Sequence, residues 1–125
     1  MMDSVKIFLN ERGCYWYEDE SNIKMLILAI FFIGDVRRKG SFFGEWCATY
    51  SDGDVCSGNA TRLELEGDYI IMTDLYPEVP AEVRMTRHQF VKLFDEWQEK
   101  VCKNRPRELF IIHDNDEYFI KVTQP

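Results

Sequence analysis

Residues 86–101 restrict the fold of this chain more than any other segment. Phe90, Leu93, Phe94, Trp97 and Val101 recur at the spacing of one helix face, while Asp95, Glu96, Glu99 and Lys100 take other positions. Thr86 and Gln89 form a capping box, and Met85 with Phe90 matches the hydrophobic staple that fixes how a chain enters a helix. Asn104 and Pro106 stop it. A helix with such a stripe must bury it against another layer. The neighbouring segments supply one. Residues 109–113 and 118–122 flank the turn Asp114-Asn115-Asp116 and predict a terminal hairpin. Residues 61–66 alternate strictly, with Leu63 and Leu65 inward, and Gly67-Asp68 turns them into a partner strand over 69–73.

The first half is less regular. Residues 5–9 are β-rich and predict a first strand, with 14–17 as a second after a turn at 10–13. Residues 18–22 hold acids and capping residues, and Arg37-Arg38-Lys39 with Gly40 follow Val36. Acids first, bases last and glycine beyond is the order of a helix over 23–36. Residues 23–33 are apolar nearly all round, so a buried strand is the rival reading. The aromatic segment 42–50 is expected to be a strand, with a turn at 51–54. Connections this short predict an α+β domain over 1–125, mainly an antiparallel sheet with two helices packed on one face. With 125 residues, 46% of them hydrophobic, the chain can build one core without disulfide or metal.

Cys14, Cys47, Cys56 and Cys102 have long, irregular spacings and no C-x-x-C pair. They read as buried or half-buried free thiols in a reducing cytosol. The first six residues lack a basic stretch leading into an apolar one, and the apolar run 25–33 falls short of the roughly 20 residues a membrane span needs. A cytoplasmic protein without membrane contact is expected. Asn59-Ala60-Thr61 fits a glycosylation sequon, which has no meaning in that compartment.

No motif of catalysis or cofactor binding is present. His113 lies at a strand end beside a turn and His88 in a first helical turn, neither with a nucleophile motif around it. Asp52-Gly53-Asp54, with Ser57 and Asn59 after it, lacks the spacing and terminal glutamate of a calcium loop and reads as a turn. The expectation is a non-enzyme with no catalytic, cofactor or metal residues. A small hydrolase built on paired carboxylates is the remaining catalytic alternative.

Charge says more. The chain carries −7, which disfavours direct contact with nucleic acid or anionic lipid. Between residues 45 and 82 nine acids stand against one base, Arg62, a net of −8. The rest of the chain is close to neutral. An ordinary solvated face has the same residue types, but this concentration favours a surface that steers a basic protein partner. The candidate partner-binding residues are Asp52, Asp54, Glu64, Glu66, Asp68, Asp74, Tyr76, Glu78 and Glu82. Trp16, Tyr17, Trp46 and Tyr76 lie at or near ends and turns, where one or two exposed aromatics would anchor an interface.

Four stretches carry a resemblance over about residues 42–122. Gly58-Asn59-Ala60-Thr61 leads into a hairpin, and Thr73-Asp74-Leu75-Tyr76 follows it. A capped helix bearing Trp97 comes next, then Lys103-Asn104-Arg105-Pro106 before a final hairpin. In this pattern the chain resembles small immunity proteins of bacterial contact-dependent growth inhibition and related polymorphic toxin systems. The resemblance implies a non-enzymatic cytoplasmic protein that binds and blocks a toxin domain, often a nuclease with a basic substrate surface. It transfers no functional residue, because such interfaces diverge with their toxins. A structural or regulatory adaptor subunit is the alternative.

Overall fold

The computed structural model describes residues 2–18, 22–36, 42–57, 61–74 and 81–124. Within them the chain is α+β, with two antiparallel sheets and three helices. Across the first sheet the strands run β2 (Tyr15–Tyr17), β1 (Met2–Leu9), β7 (Glu108–Asp114) and β8 (Glu117–Gln124). The second runs β3 (Val55–Ser57), β4 (Thr61–Glu66), β5 (Tyr69–Asp74) and β6 (Glu82–Thr86). The helices are α1 (Ile23–Ile30), α2 (Phe42–Thr49) and α3 (Arg87–Glu96). α1 and α3 each touch both sheets, so one core serves the whole fold.

The sequence reading had one sheet and two helices. The hairpins separate into two sheets because β1 pairs with β7, near the other end of the chain. Local alternation carries no information on such a long-range pairing. The short strands β3 and β6 were not expected either. The predicted turn at 51–54 and the hairpins at 61–73 and 109–122 are present in register.

Segment 42–50 is a correction, since it folds as α2 and not as a strand. Its buried residues Phe43, Trp46 and Cys47 follow helical spacing, which aromatic richness had masked. Gly44 explains how α2 fits. A Cβ there would lie 2.9 Å from Cδ1 of Phe94, so α2 approaches α3 closely only without a side chain. Gly44→Ala should therefore lower the urea midpoint. Overpacking costs about 1–3 kcal/mol and outweighs the roughly 1 kcal/mol that alanine adds to helix propensity.

Residues 23–36 are helical, which settles the rivalry with a buried strand. Asn22 caps α1, its Oδ1 accepting from the amides of Lys24 and Met25 at 3.1 and 3.4 Å. The predicted basic stop at 37–40 lies outside the described residues. Beyond Ile30 the helix widens into a π-turn, Phe31–Asp35, closed by the Val36 amide on Phe31 O. α3 begins as predicted, with Thr86 Oγ1 accepting from Gln89 N at 3.0 Å. The box is only half formed. Gln89 Nε2 instead donates to Tyr118 O at 2.8 Å and ties α3 to β8. All five stripe residues are buried, and α3 also ends in a π-turn, Trp97–Cys102.

Phe31 sits at the centre of the core, its ring 5.1, 4.9 and 5.8 Å from those of Phe32, Phe43 and Phe90. Two polar side chains are buried with the core, Asp35 and Thr61. Thr61 Oγ1 donates to Asp35 Oδ2 at 2.5 Å, which joins the end of the first π-turn to β4.

On the first sheet, Lys6 Nζ lies 3.0 Å from Glu108 Oε2 and 3.8 Å from Glu18 Oε2. The hydrogen bond from Lys6, helped by the Thr123 hydroxyl, holds the Glu108 carboxyl below its usual 4.5. A depressed folded value stabilises above the unfolded value and is lost as pH falls through the folded one. Glu108→Gln should thus lower the urea midpoint at neutral pH. The difference from wild type should shrink as pH falls through the lowered folded value, where the wild-type carboxyl is protonated too.

Candidate functional site

The second sheet places the acidic segment. Gly67 turns the β4–β5 hairpin with φ of +60°, a left-handed conformation that glycine adopts without strain. The 51–54 turn docks beside that tip. Gly67 N donates to Asp52 Oδ1 at 2.6 Å, Gly53 N to Leu65 O at 2.7 Å, and Leu65 N to Asp54 O at 2.9 Å. Asp54 also braces its own turn, accepting from Ser51 N at 2.9 Å. These bonds gather Asp52, Asp54, Glu66 and Asp68 at one end of the sheet. Asp52, Glu66 and Asp68 are exposed and Asp54 is half-buried.

The same end holds the start of α3. Arg87 N donates to Asp68 O at 2.7 Å. The Arg87 guanidinium turns the other way, onto Cys47 O at 2.9 and 2.6 Å and Tyr50 O at 2.6 Å. It satisfies the carbonyls at the C-terminal end of α2 and leaves the carboxylates to solvent.

Register divides the remaining predicted residues. On the outer face Glu64 stands between Val55 and Ile71, and Glu82 pairs with Thr73 one row further along. Asp74 does not join them. It pairs with buried Thr61 and follows the inward alternation of Ile70 and Met72, roughly 17 Å along the strand from Glu66. Tyr76 and Glu78 lie outside the described residues.

Sequence reading missed Arg84, whose segment was not expected to be a strand. Pairing of β6 with β5 brings its Nη1 to 3.6 Å from Glu66 Oε1 and its guanidinium 4.4 Å over the Tyr69 ring. Arg62 Nη1 lies 3.0 Å from Glu64 Oε1. Exposed pairs of this kind are worth at most about 1 kcal/mol, so a strongly basic partner can displace both arginines. Among the described residues, Asp52, Asp54, Asp68 and Glu82 enter no ion pair.

The first sheet offers a second kind of surface. Its outer side carries Phe8, Trp16, Phe110 and Phe119, opposite the buried Val5, Ile7, Leu109, Ile111 and Ile120. Trp16 is 53% exposed and stacks on Tyr17 at 5.1 Å. The signal was available, because strands apolar on both faces need cover on both. Trp46, the other terminal aromatic within the described residues, is buried in α2.

Groups with possible chemistry are dispersed. His113 stacks flat on Tyr118, ring centres 4.1 Å apart, and His88 is exposed on α3. Burial raises the Cys47 thiol to about 11, against the opposing pull of Arg87. All four cysteines are free, and Cys102 is exposed, contrary to the expectation of burial for every thiol. Among the described residues no three His, Cys, Asp or Glu side chains come together as a metal site, and no helix is long and apolar enough to cross a membrane. No protein-family model, curated protein or solved structure matches the chain.

Proposed function

We propose that this chain is a cytoplasmic immunity protein, a non-enzymatic binder that neutralises a basic toxin domain by covering its active surface. One observation carries the reading. The bond from Gly67 N to Asp52 locks two turns together and holds four carboxylates at one end of the second sheet. A surface of this sign repels nucleic acid and attracts a domain whose own substrate is a phosphate backbone. Occlusion needs no catalytic group on the inhibitor. It requires only that the acidic end occupy the substrate surface.

The test is co-expression with the toxin domain encoded beside this chain. The proposal expects restored growth and a complex that survives purification at low salt. Unrelieved toxicity, with soluble chain present, would refute it.

The aromatic outer side of the first sheet favours a second reading, an adaptor subunit of a cytoplasmic complex. Trp and Phe side chains are typical interface anchors, and an adaptor would hold its partner through them with little dependence on salt.

A further inference from the structure

Each sheet has two edge strands, and among the described residues β8 is the longest of them. β2 and β3 offer three residues each and β6 five, whereas β8 offers eight. The outward N–H and C=O groups of a long edge strand are a template for another strand. A chain that stays apart from its own copies has to cover them.

α3 and its π-turn supply the cover. Gln89 Nε2 donates to Tyr118 O at 2.8 Å, Ile120 N donates to Glu96 Oε2 at 2.9 Å, and Lys100 Nζ donates to Ile120 O at 3.0 Å. Lys100 Nζ also lies 3.4 Å from Glu96 Oε2, so donor and acceptor hold each other against the strand. Each of the three immediately precedes a buried stripe residue, Phe90, Trp97 or Val101, and the row they form flanks that stripe. In an antiparallel ladder alternate residues turn both backbone groups away from the partner. The bonds to α3 mark Tyr118 and Ile120 as such residues, and Val122 is next in the alternation. Beyond Ile120 the strand borders an open groove that Asn104 and Pro106 also line.

We infer that Gln89, Glu96 and Lys100 form a latch that keeps β8 from pairing with β8 of a second copy. The sequence of β8 suits itself as a partner. Antiparallel pairing about Ile120 sets Tyr118 opposite Val122, Phe119 opposite Lys121 and Glu117 opposite Thr123, so no like charges meet across the new ladder. The two outer faces, each with Phe110 and Phe119, would then run on as one sheet.

Sedimentation equilibrium of the purified full chain tests the latch. Wild type should keep its monomer mass at about 200 μM, as expected of self-association weaker than about 1 mM. Gln89→Ala/Glu96→Ala/Lys100→Ala should self-associate at least about tenfold more tightly, the effect of one net hydrogen bond released to the partner. A two-fold pair uses each edge once, so assembly should stop at the dimer. Glu96→Ala alone should shift the equilibrium the same way by a smaller factor, and it decides the matter where the triple variant does not fold. In the latch-free background, Phe119→Glu places a carboxylate opposite the partner's Lys121 and should tighten the dimer, whereas Phe119→Lys should return it to monomer. A wild-type dimer, or a folded latch-free variant as monomeric as wild type, would overturn the inference. So would open-ended assembly, or equal effects of the two Phe119 substitutions.

Discussion

Phe31→Ala is expected to lower the free energy of unfolding by about 4 kcal/mol, the cost of removing a large aromatic from a packed core. The position decides the size of the effect. Phe31 is fully buried and its ring meets Phe32, Phe43 and Phe90, so one side chain joins α1, α2 and α3. The backbone around it is held in a π-turn and cannot easily collapse into the space left behind. A domain of this size has a total stability of roughly 5–15 kcal/mol, so the variant should lie close to unfolding at 37 °C. Urea titration followed by tryptophan fluorescence measures it. A loss below about 1 kcal/mol would mean that the three helices do not share this centre.

The second large effect concerns binding. Reversing Glu64, Glu66 and Asp68 to lysine should weaken the proposed complex with a basic toxin domain at least about a hundredfold, mostly through a slower association rate. Each reversal adds two positive charges, and the three together take the net from −7 to −1. Reversing Glu11, Asp95 and Glu99 makes the same change on exposed positions elsewhere. That control should cost only a few-fold, because close charge pairs outweigh distant ones at physiological salt. Equal losses in the two variants would assign the effect to net charge and remove the proposed surface. All six positions are at least partly exposed, so neither variant should lose much stability.

The contrast between these two predictions reflects what a sequence can show. The α3 stripe was legible because Phe90, Leu93, Phe94, Trp97 and Val101 obey a local period and Thr86 marks its start. The β4–β5 and β7–β8 hairpins were legible for the same reason, since strict alternation and a turn residue are neighbours in sequence. α2 was misread because Phe42, Phe43, Trp46 and Tyr50 are strand-forming by type, and the helical spacing of its buried residues was the weaker signal. The split into two sheets depends on β1 meeting β7, a pairing with no local trace.

The acidic surface was legible as a stretch of sequence but not as a shape. Pairing put Glu64, Glu66 and Glu82 on the outer side of one sheet, and it also turned Asp74 towards the core. Arg84 entered from β6, a strand that the sequence had not led us to expect. Asp52 proved to be both a surface charge and a turn-locking acceptor.

Amide hydrogen exchange of the chain, free and bound to the toxin domain, tests the central claim most directly. Protection on binding should appear at residues 52–54 and 64–69, where the two turns interlock. Protection confined to β1, β2 and β7, with those turns exchanging as in the free chain, would contradict the account and move the interface to the aromatic side of the first sheet.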